Sequence, residues 1–276
     1  MKNTIKISWA LLIFASSLTS CGDSTEGRSK RINKVKFQPT PILKYSVDAK
    51  YPHSSNSFTE GFLVYDNAIF ESTGSPSNLP STVSVYGTVN SSTGQIEIHN
   101  QLDTKYFGEG ITILNHKVYQ LTYKSREGFV YDLESRKKVK SFQIPTKEGW
   151  GMTTDGENLI MSDGSSSLYF IDTTNLEKIG TLKVFDKGRP VNYLNELEYV
   201  NGFIYANVFT TDWLVKIDIE SGKVVAKIDL TDLKLAEDRL SLDAMETNGI
   251  AYNHASGKFL VTGKMWQNIY ELSLFE

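Results

Sequence analysis

The chain has 276 residues, 40% of them hydrophobic and 22% charged, with a formal net charge of −3. That composition is ordinary for a globular protein, and it offers no basic stripe for nucleic acid. The four histidines (His53, His99, His116 and His254) are scattered and read as surface or turn residues. With a single cysteine there is no thiolate cage either, so neither a metal ion nor another cofactor is expected.

The chain opens on MKNTIKISWALLIFASSLTSC. Lys2 and Lys6 precede an apolar run centred on Trp9–Ala15, too short for a normal membrane span, which predicts a secretory signal over residues 1–20. Leu18-Thr19-Ser20-Cys21 resembles a bacterial lipobox, in which the cysteine becomes the lipidated first residue of the mature chain. A plain signal peptide with an incidental cysteine is the other reading. The expectation is a protein held at a membrane of the bacterial cell envelope through lipidated Cys21, on the periplasmic or surface side. Cleavage would remove two lysines and take the charge from −3 to −5, leaving no cysteine for an intramolecular disulfide. The polar stretch Gly22–Lys34 predicts a flexible tether over residues 21–40, ahead of one folded domain over 41–276.

Beyond residue 40 the chain reads as short alternating strands separated by turn signals. VSVYG, GFVYD, LYFID, LVKID and NIYEL recur, rich in β-branched and aromatic residues. Upstream of each lies a second recurrence: FTEGFLVY, FGEGITIL, GWGMTTD, LNELEYV and TNGIAYN. Aligning Glu60, Glu109, Trp150, Glu196 and Asn248 gives spacings of 49, 41, 46 and 52 residues. Five units of that length predict an all-β, five-bladed β-propeller. The last unit has room for only three strands, so ILKYSVDAKY (residues 42–51) is expected to supply its fourth and tie the ring shut. TDLKLAEDRLSLDAMET (residues 231–247) fits a helical or loop insertion before that unit.

In a propeller the first strand of each unit lines the central channel, so Glu60, Glu109, Trp150, Asn195/Glu196 and Asn248 are expected at one mouth. The ends of the second strands follow: Glu71 and Ser72, Tyr123, Asp163, Phe209 and Lys264. Carboxylates, amides and a lysine among aromatic rings suit a binding pocket, because buried polar atoms without partners are destabilising. Glu109 stands between Gly108 and Gly110, glycines that remove bulk and permit unusual backbone angles. It is either a turn acid facing water or a carboxylate held out for chemistry. Glu71, Ser72 and Asp163, in their ESTG and SDGS contexts, read as scaffold hydrogen-bonders at strand ends.

Taken together, FTEGF, ESTG, YFGEGIT, YQLTY, GWGMTTDG, LNELEYVNGFIYANV, TNGIAY and VTGKMW closely resemble the plant-type glutaminyl cyclases, or glutaminyl-peptide cyclotransferases. The resemblance runs from about Phe58 to the C-terminus, with the motifs in family order. It implies a five-bladed β-propeller that converts the N-terminal glutamine of peptides or proteins to pyroglutamate, releasing ammonia without a metal. It also implies Glu109 as the acid/base, with Asn195 and Lys264 as polar partners at the carboxamide. Phe107, Trp150, Tyr123 and Phe209 are the implied aromatic walls of the substrate pocket. Glu60 stands where the family usually has glutamine, and Tyr123 and Phe209 where it often has tryptophan. The extra charge of Glu60 suggests that it binds or orients the substrate amine. Nothing in the motifs implies a partner protein, and a monomer is expected.

Two other readings remain open on the residues alone. A metal-dependent, lactonase-like propeller hydrolase would have to build its site from Glu60, Glu109 and Glu196. A non-catalytic, lipid-anchored propeller would hold peptides or glycans at its mouth without turnover.

Overall fold

The structure is a computed structural model, described here for residues 38–275. The signal, Cys21 and most of the tether lie outside the described residues. What is described is almost wholly β. Strand β1 (Ile42–Pro52) comes first. Next is a sheet of β2 (Thr59–Tyr65), β3 (Ala68–Thr73), β4 (Val85–Val89) and β5 (Ile96–Gln101). A second holds β6 (Gly108–Leu114), β7 (Lys117–Thr122), β8 (Glu127–Asp132) and β9 (Lys138–Gln143). The third holds β10 (Met152–Thr154), β11 (Leu159–Ser162), β12 (Ser167–Ile171) and β13 (Lys178–Lys183). After a small hairpin, β14 (Phe185–Asp186) and β15 (Arg189–Pro190), come β16 (Leu194–Val200), β17 (Phe203–Val208), β18 (Trp213–Asp218) and β19 (Val224–Asp229). Helix α1 (Thr231–Leu240) precedes β20 (Thr247–Asn253), β21 (Lys258–Gly263) and β22 (Asn268–Phe275).

Within each sheet the strands run antiparallel in chain order, as short alternating segments joined by tight turns should. The exception is β1, which lies beside β22 in the order β1-β22-β21-β20. Its register runs from Lys44 opposite Phe275 to Pro52 opposite Asn268. The expected fourth strand of the last unit is therefore the first strand among the described residues. Two further parallel pairings, Ile42 with Lys227 and Leu43 with Ile228, join it to β19 and merge the last two sheets into one of eight strands.

The core lies between sheets. Phe70 and Tyr86 pack with Ile111 and Phe129, Leu121 and Phe142 with Leu159 and Met161, and Ile160 and Leu168 with Leu197 and Ile204. Tyr205 and Ile228 pack with Phe259 and Tyr270, and Leu260 and Ile269 return to Phe62 and Val89 of the first sheet. The first strand of each sheet also lies beside its counterparts: β2 neighbours β6 and β20, and β10 neighbours β6 and β16. The arrangement is propeller-like. Helix α1 falls inside the expected insertion, and its buried Glu237 accepts hydrogen bonds from Tyr270 Oη (2.6 Å), Asn268 Nδ2 (2.7 Å) and the Gln267 amide (2.7 Å).

Candidate active site

Each of four inner strands is interrupted at the same end by a β-bulge. Register shifts fall between Thr59 and Gly61, Gly108 and Ile111, Leu194 and Leu197, and Thr247 and Ile250. A bulge places an extra residue against the partner strand and re-aims its side chain. The residues displaced in this way include Glu60, Glu109, Asn195 and Asn248. The glycines around Glu109 serve this geometry by being small, since neither has a positive φ. A Cβ on Gly108 would stand 2.5 Å from the Thr73 carbonyl oxygen, and one on Gly110 would stand 2.5 Å from the Met152 amide nitrogen. Only glycine lets the bulged strand pass so close to its neighbours.

The bulges open on a cavity of about 240 Å³, lined by Phe58, Glu60, Pro76, Phe107, Glu109, Tyr123, Trp150, Asn195, Phe209 and Lys264. Every residue expected in the pocket as acid/base, polar partner or aromatic wall is among them. Phe58 and Pro76 were not anticipated. Phe58 lies two residues before Glu60, and strand alternation could have revealed it. Pro76 sits on the β3–β4 connection, where no periodicity points to it. The rings meet edge to face: Phe58 on Phe107 with centroids 6.0 Å apart, and Trp150 on Phe209 at 5.5 Å. Trp150 is also fixed by donating from Nε1 to Glu148 Oε2 at 3.1 Å.

The polar groups are nearly sealed from solvent, with Glu60, Asn195, Glu109 and Lys264 all 5% exposed or less. Lys264 Nζ donates to Glu60 Oε1 at 2.7 Å and lies 4.4 Å from the centre of the Phe58 ring. The other Glu60 oxygen, Oε2, accepts from Asn248 Nδ2 at 3.2 Å. Burial raises the Glu60 pKa to about 7 despite the attraction of Lys264. Glu109 makes no side-chain hydrogen bond to any described residue. Its pKa is raised well above the usual carboxylate range, first by burial and then by the charge of Glu60. Asn195 is anchored through its backbone, where its carbonyl accepts from Ser162 Oγ at 2.7 Å, while its side-chain Oδ1 is buried and unpartnered. An unpartnered buried acceptor beside a protonatable carboxyl and an ammonium can receive a donor from a ligand while the others move protons or stabilise a negative oxygen.

Some residues expected near the mouth lie elsewhere. Asn248 is turned toward β2, donating to the Thr59 carbonyl at 2.9 Å and to Glu60, and it does not line the cavity. Glu196 accepts from the backbone amides of Phe62 (3.2 Å) and Ile250 (2.8 Å). Glu71, Ser72 and Asp163 are scaffold: Glu71 accepts from Thr59 Oγ1, Ser72 from Gln120 Nε2 and Asp163 from Tyr169 Oη. Among the described residues no three of His, Cys, Asp and Glu are grouped to hold a metal ion. The hydrolase reading therefore finds no ligand set there. Two histidines depart from expectation. His53 is buried against Glu71, and its Nδ1 lies against the Trp266 carbonyl. His99 lies half-buried in β5 with its ring edge-on to Phe70 and Tyr86, whereas His116 and His254 are exposed in turns.

Comparison with known proteins agrees with the motifs. The chain is 36% identical over 286 aligned positions to a glutaminyl-peptide cyclotransferase of Arabidopsis thaliana, covering 97% of this chain and 81% of that one. The crystal structure of Myxococcus xanthus glutaminyl cyclase superposes with a TM-score of 0.77 at 30% identity, covering 85% of this chain and 98% of the other. The profile of the glutamine cyclotransferase family matches residues 15–274, and the chain belongs to that family.

Proposed function

We propose that this cavity performs the cyclotransferase reaction, closing the N-terminal glutamine of a peptide or protein into pyroglutamate with release of ammonia. A bond forms between the α-nitrogen and the γ-carboxamide carbon, and the bond from that carbon to its own nitrogen breaks. The attacking amine gives up one proton and the departing nitrogen gains one, so a single group that accepts and returns a proton balances the reaction. Glu109 takes that role. A carboxyl whose pKa burial raises well above the ordinary range takes and returns a proton more readily than an ordinary carboxylate, and the α-amine it serves has an ordinary pKa of about 8. Ring closure is intramolecular, so the chief task of the aromatic walls is to hold the folded-back conformer.

Lys264 and Asn195 face the carboxamide. The ammonium stabilises the oxygen that becomes negative in the tetrahedral intermediate, and the unpartnered Asn195 Oδ1 receives an N–H of the substrate. Glu60 holds Lys264 at 2.7 Å and adds a negative charge that favours the substrate amine. The observation that carries the reading is Glu109 itself, a buried carboxyl that no described side chain satisfies, held by a bulge beside an ammonium in an aromatic cavity.

The scaffold is read as a five-bladed propeller over residues 41–276, with β1 closing the last blade; the core clusters between consecutive sheets and the neighbouring inner strands support it. Residues 1–20 are read as a signal, 21–40 as a tether, and Cys21 as a lipid anchor holding a monomer at the bacterial cell envelope. The sequence motifs alone support these last assignments. The test is turnover of a short peptide beginning with glutamine by a soluble form starting at residue 36, followed by ammonia release and mass change, with and without chelator. Turnover should survive chelation and fall by about 10²-fold or more in Glu109→Gln. A folded wild-type domain that binds the peptide without turning it over would overturn the reading in favour of a binding module.

A further inference from the structure

Lys264 and Glu60, whose side chains meet at 2.7 Å, come from segments far apart in the chain, and a second buried pair lies beneath them. His53, immediately after β1, faces Glu71 on β3, and neither side chain has any exposure to solvent. His53 Nε2 is 3.1 Å from each Glu71 oxygen, and its Nδ1 is 2.9 Å from the Trp266 carbonyl oxygen. The Thr262 hydroxyl, 3.4 Å from Nδ1, donates instead to the Asn268 carbonyl at 3.0 Å. Both close partners are acceptors, so a ring that satisfies both must donate from both nitrogens and is therefore an imidazolium. Burial presses the ring toward neutrality. The charge and hydrogen bond of Glu71, the Trp266 carbonyl and the more distant Glu237 outweigh it, and the His53 pKa lies above its ordinary value.

The pair grips both arms of the site. Glu71 also accepts from Thr59 Oγ1 at 2.7 Å, and Thr59 is the residue before Glu60. Trp266 lies two residues after Lys264, and the His53 amide bonds the Gln267 carbonyl at 2.9 Å. Between Lys264 and Trp266 stands Met265 at φ 62°, a left-handed conformation disfavoured for a side chain of that size. Such a residue persists only where its surroundings over-determine it. The Met265 amide bonds the Ser57 carbonyl (2.8 Å), and Trp266 Nε1 bonds the Met245 carbonyl (3.0 Å). His53 closes the remaining side.

We propose that His53 is a positioning residue for Lys264: with Glu71 it clamps the strained turn Gly263–Gln267 to β2 and so fixes where the Lys264 ammonium stands over the cavity. This rests on reading the cavity as the cyclotransferase site. A clamp that only held the fold would affect unfolding. A positioning clamp sets the rate of the chemical step and the accessibility of one amine.

The test uses the same soluble protein with His53→Gln and Glu71→Gln, and three readouts. Thermal unfolding reports whether each variant folds. Steady-state turnover of an N-terminal glutaminyl peptide should show kcat reduced about tenfold or more with KM changed far less. Mass spectrometry after brief exposure to a small acylating reagent should show Lys264 labelled about tenfold faster than in wild type, with exposed Lys187 unchanged. Folded variants with wild-type kcat and wild-type Lys264 labelling overturn the proposal, even if the unfolding temperature falls. Labelling needs no turnover, so a failure of the cyclotransferase reading would be seen separately. Should neither variant fold, nitrogen NMR of the wild-type protein at neutral pH decides: both His53 ring nitrogens protonated supports the clamp, and only one protonated overturns it.

Discussion

Glu60 ties the polar groups of the cavity together. A glutamine there would offer Lys264 a neutral acceptor, whereas Glu60 Oε1 holds the ammonium at 2.7 Å and Oε2 takes a second hydrogen bond from Asn248. Its charge also raises the pKa of Glu109, second only to burial. Glu60→Gln removes that charge and leaves Lys264 less neutralised, and both changes favour the ionised form of Glu109. The Glu109 pKa therefore falls, and the acid limb of the pH–kcat profile should move to lower pH. Losing a charge complementary to the substrate amine should raise KM more than it lowers kcat. An unchanged KM with an unmoved acid limb would remove Glu60 from both roles. The pairing itself could not be read from the sequence, because Glu60 and Lys264 are 204 residues apart and only strand order brings them together. Glu109 was legible for the opposite reason: its flanking glycines record a close approach in neighbouring residues.

At the scale of elements, the inner strands pack side by side across the axis, and buried carboxyl groups link them. Glu196 on β16 accepts the amides of Phe62 on β2 and Ile250 on β20, and Glu198 accepts the amide of Tyr252 at 2.7 Å. Burial lifts the Glu198 pKa to about 8, against a value near 4.5 in the unfolded chain. Between those values the native state holds a proton that the unfolded state has released, so stability falls as pH rises through that window. The wild-type unfolding temperature should decline from about pH 5 to about pH 8. Glu198→Gln, which cannot ionise, should flatten part of that decline. The remaining slope belongs to Glu60, Glu109, Glu196 and His53, which shift in the same direction, and it is partly offset by His99, whose pKa is lowered. A slope unchanged in Glu198→Gln would mean that this carboxyl is ionised in the native state. The recurring words FTEGF, FGEG, LNELEY and TNGIAY were readable because each marks an inner strand beginning at a bulge. The inward or sideways turn of each displaced residue was not. Asn195 enters the cavity whereas Asn248 braces Glu60, a difference decided by packing across the axis.

For the molecule as a whole, the decisive contact is the one between its first and last described strands, β1 and β22. Strand β1 pairs with β22 at eight registered positions and touches β19 at two more. The need for it was legible in the sequence, since the final unit held only three strands and an alternating segment stood unused before the first. Its register was not legible, because a bulge between Val47 and Ala49 breaks the alternation that turns Leu43, Tyr45, Ala49 and Tyr51 inward. Strand β1 stabilises the domain in two ways. Leu43, Tyr45 and Tyr51 pack half-buried against the core, and the strand adds ladder hydrogen bonds, worth about 1 kcal/mol each net. Eight such pairings are comparable to the roughly 5–15 kcal/mol by which a domain is stable at all. Without β1, the edges of both β19 and β22 are left open to pair with other chains. Deleting residues 42–51 should therefore abolish cooperative thermal unfolding and favour aggregation, whereas shortening the chain only as far as residue 36 should leave the transition intact. A normal transition in the deleted protein would mean that the ring holds through its inner strands alone, with β1 no more than a cover on its last sheet.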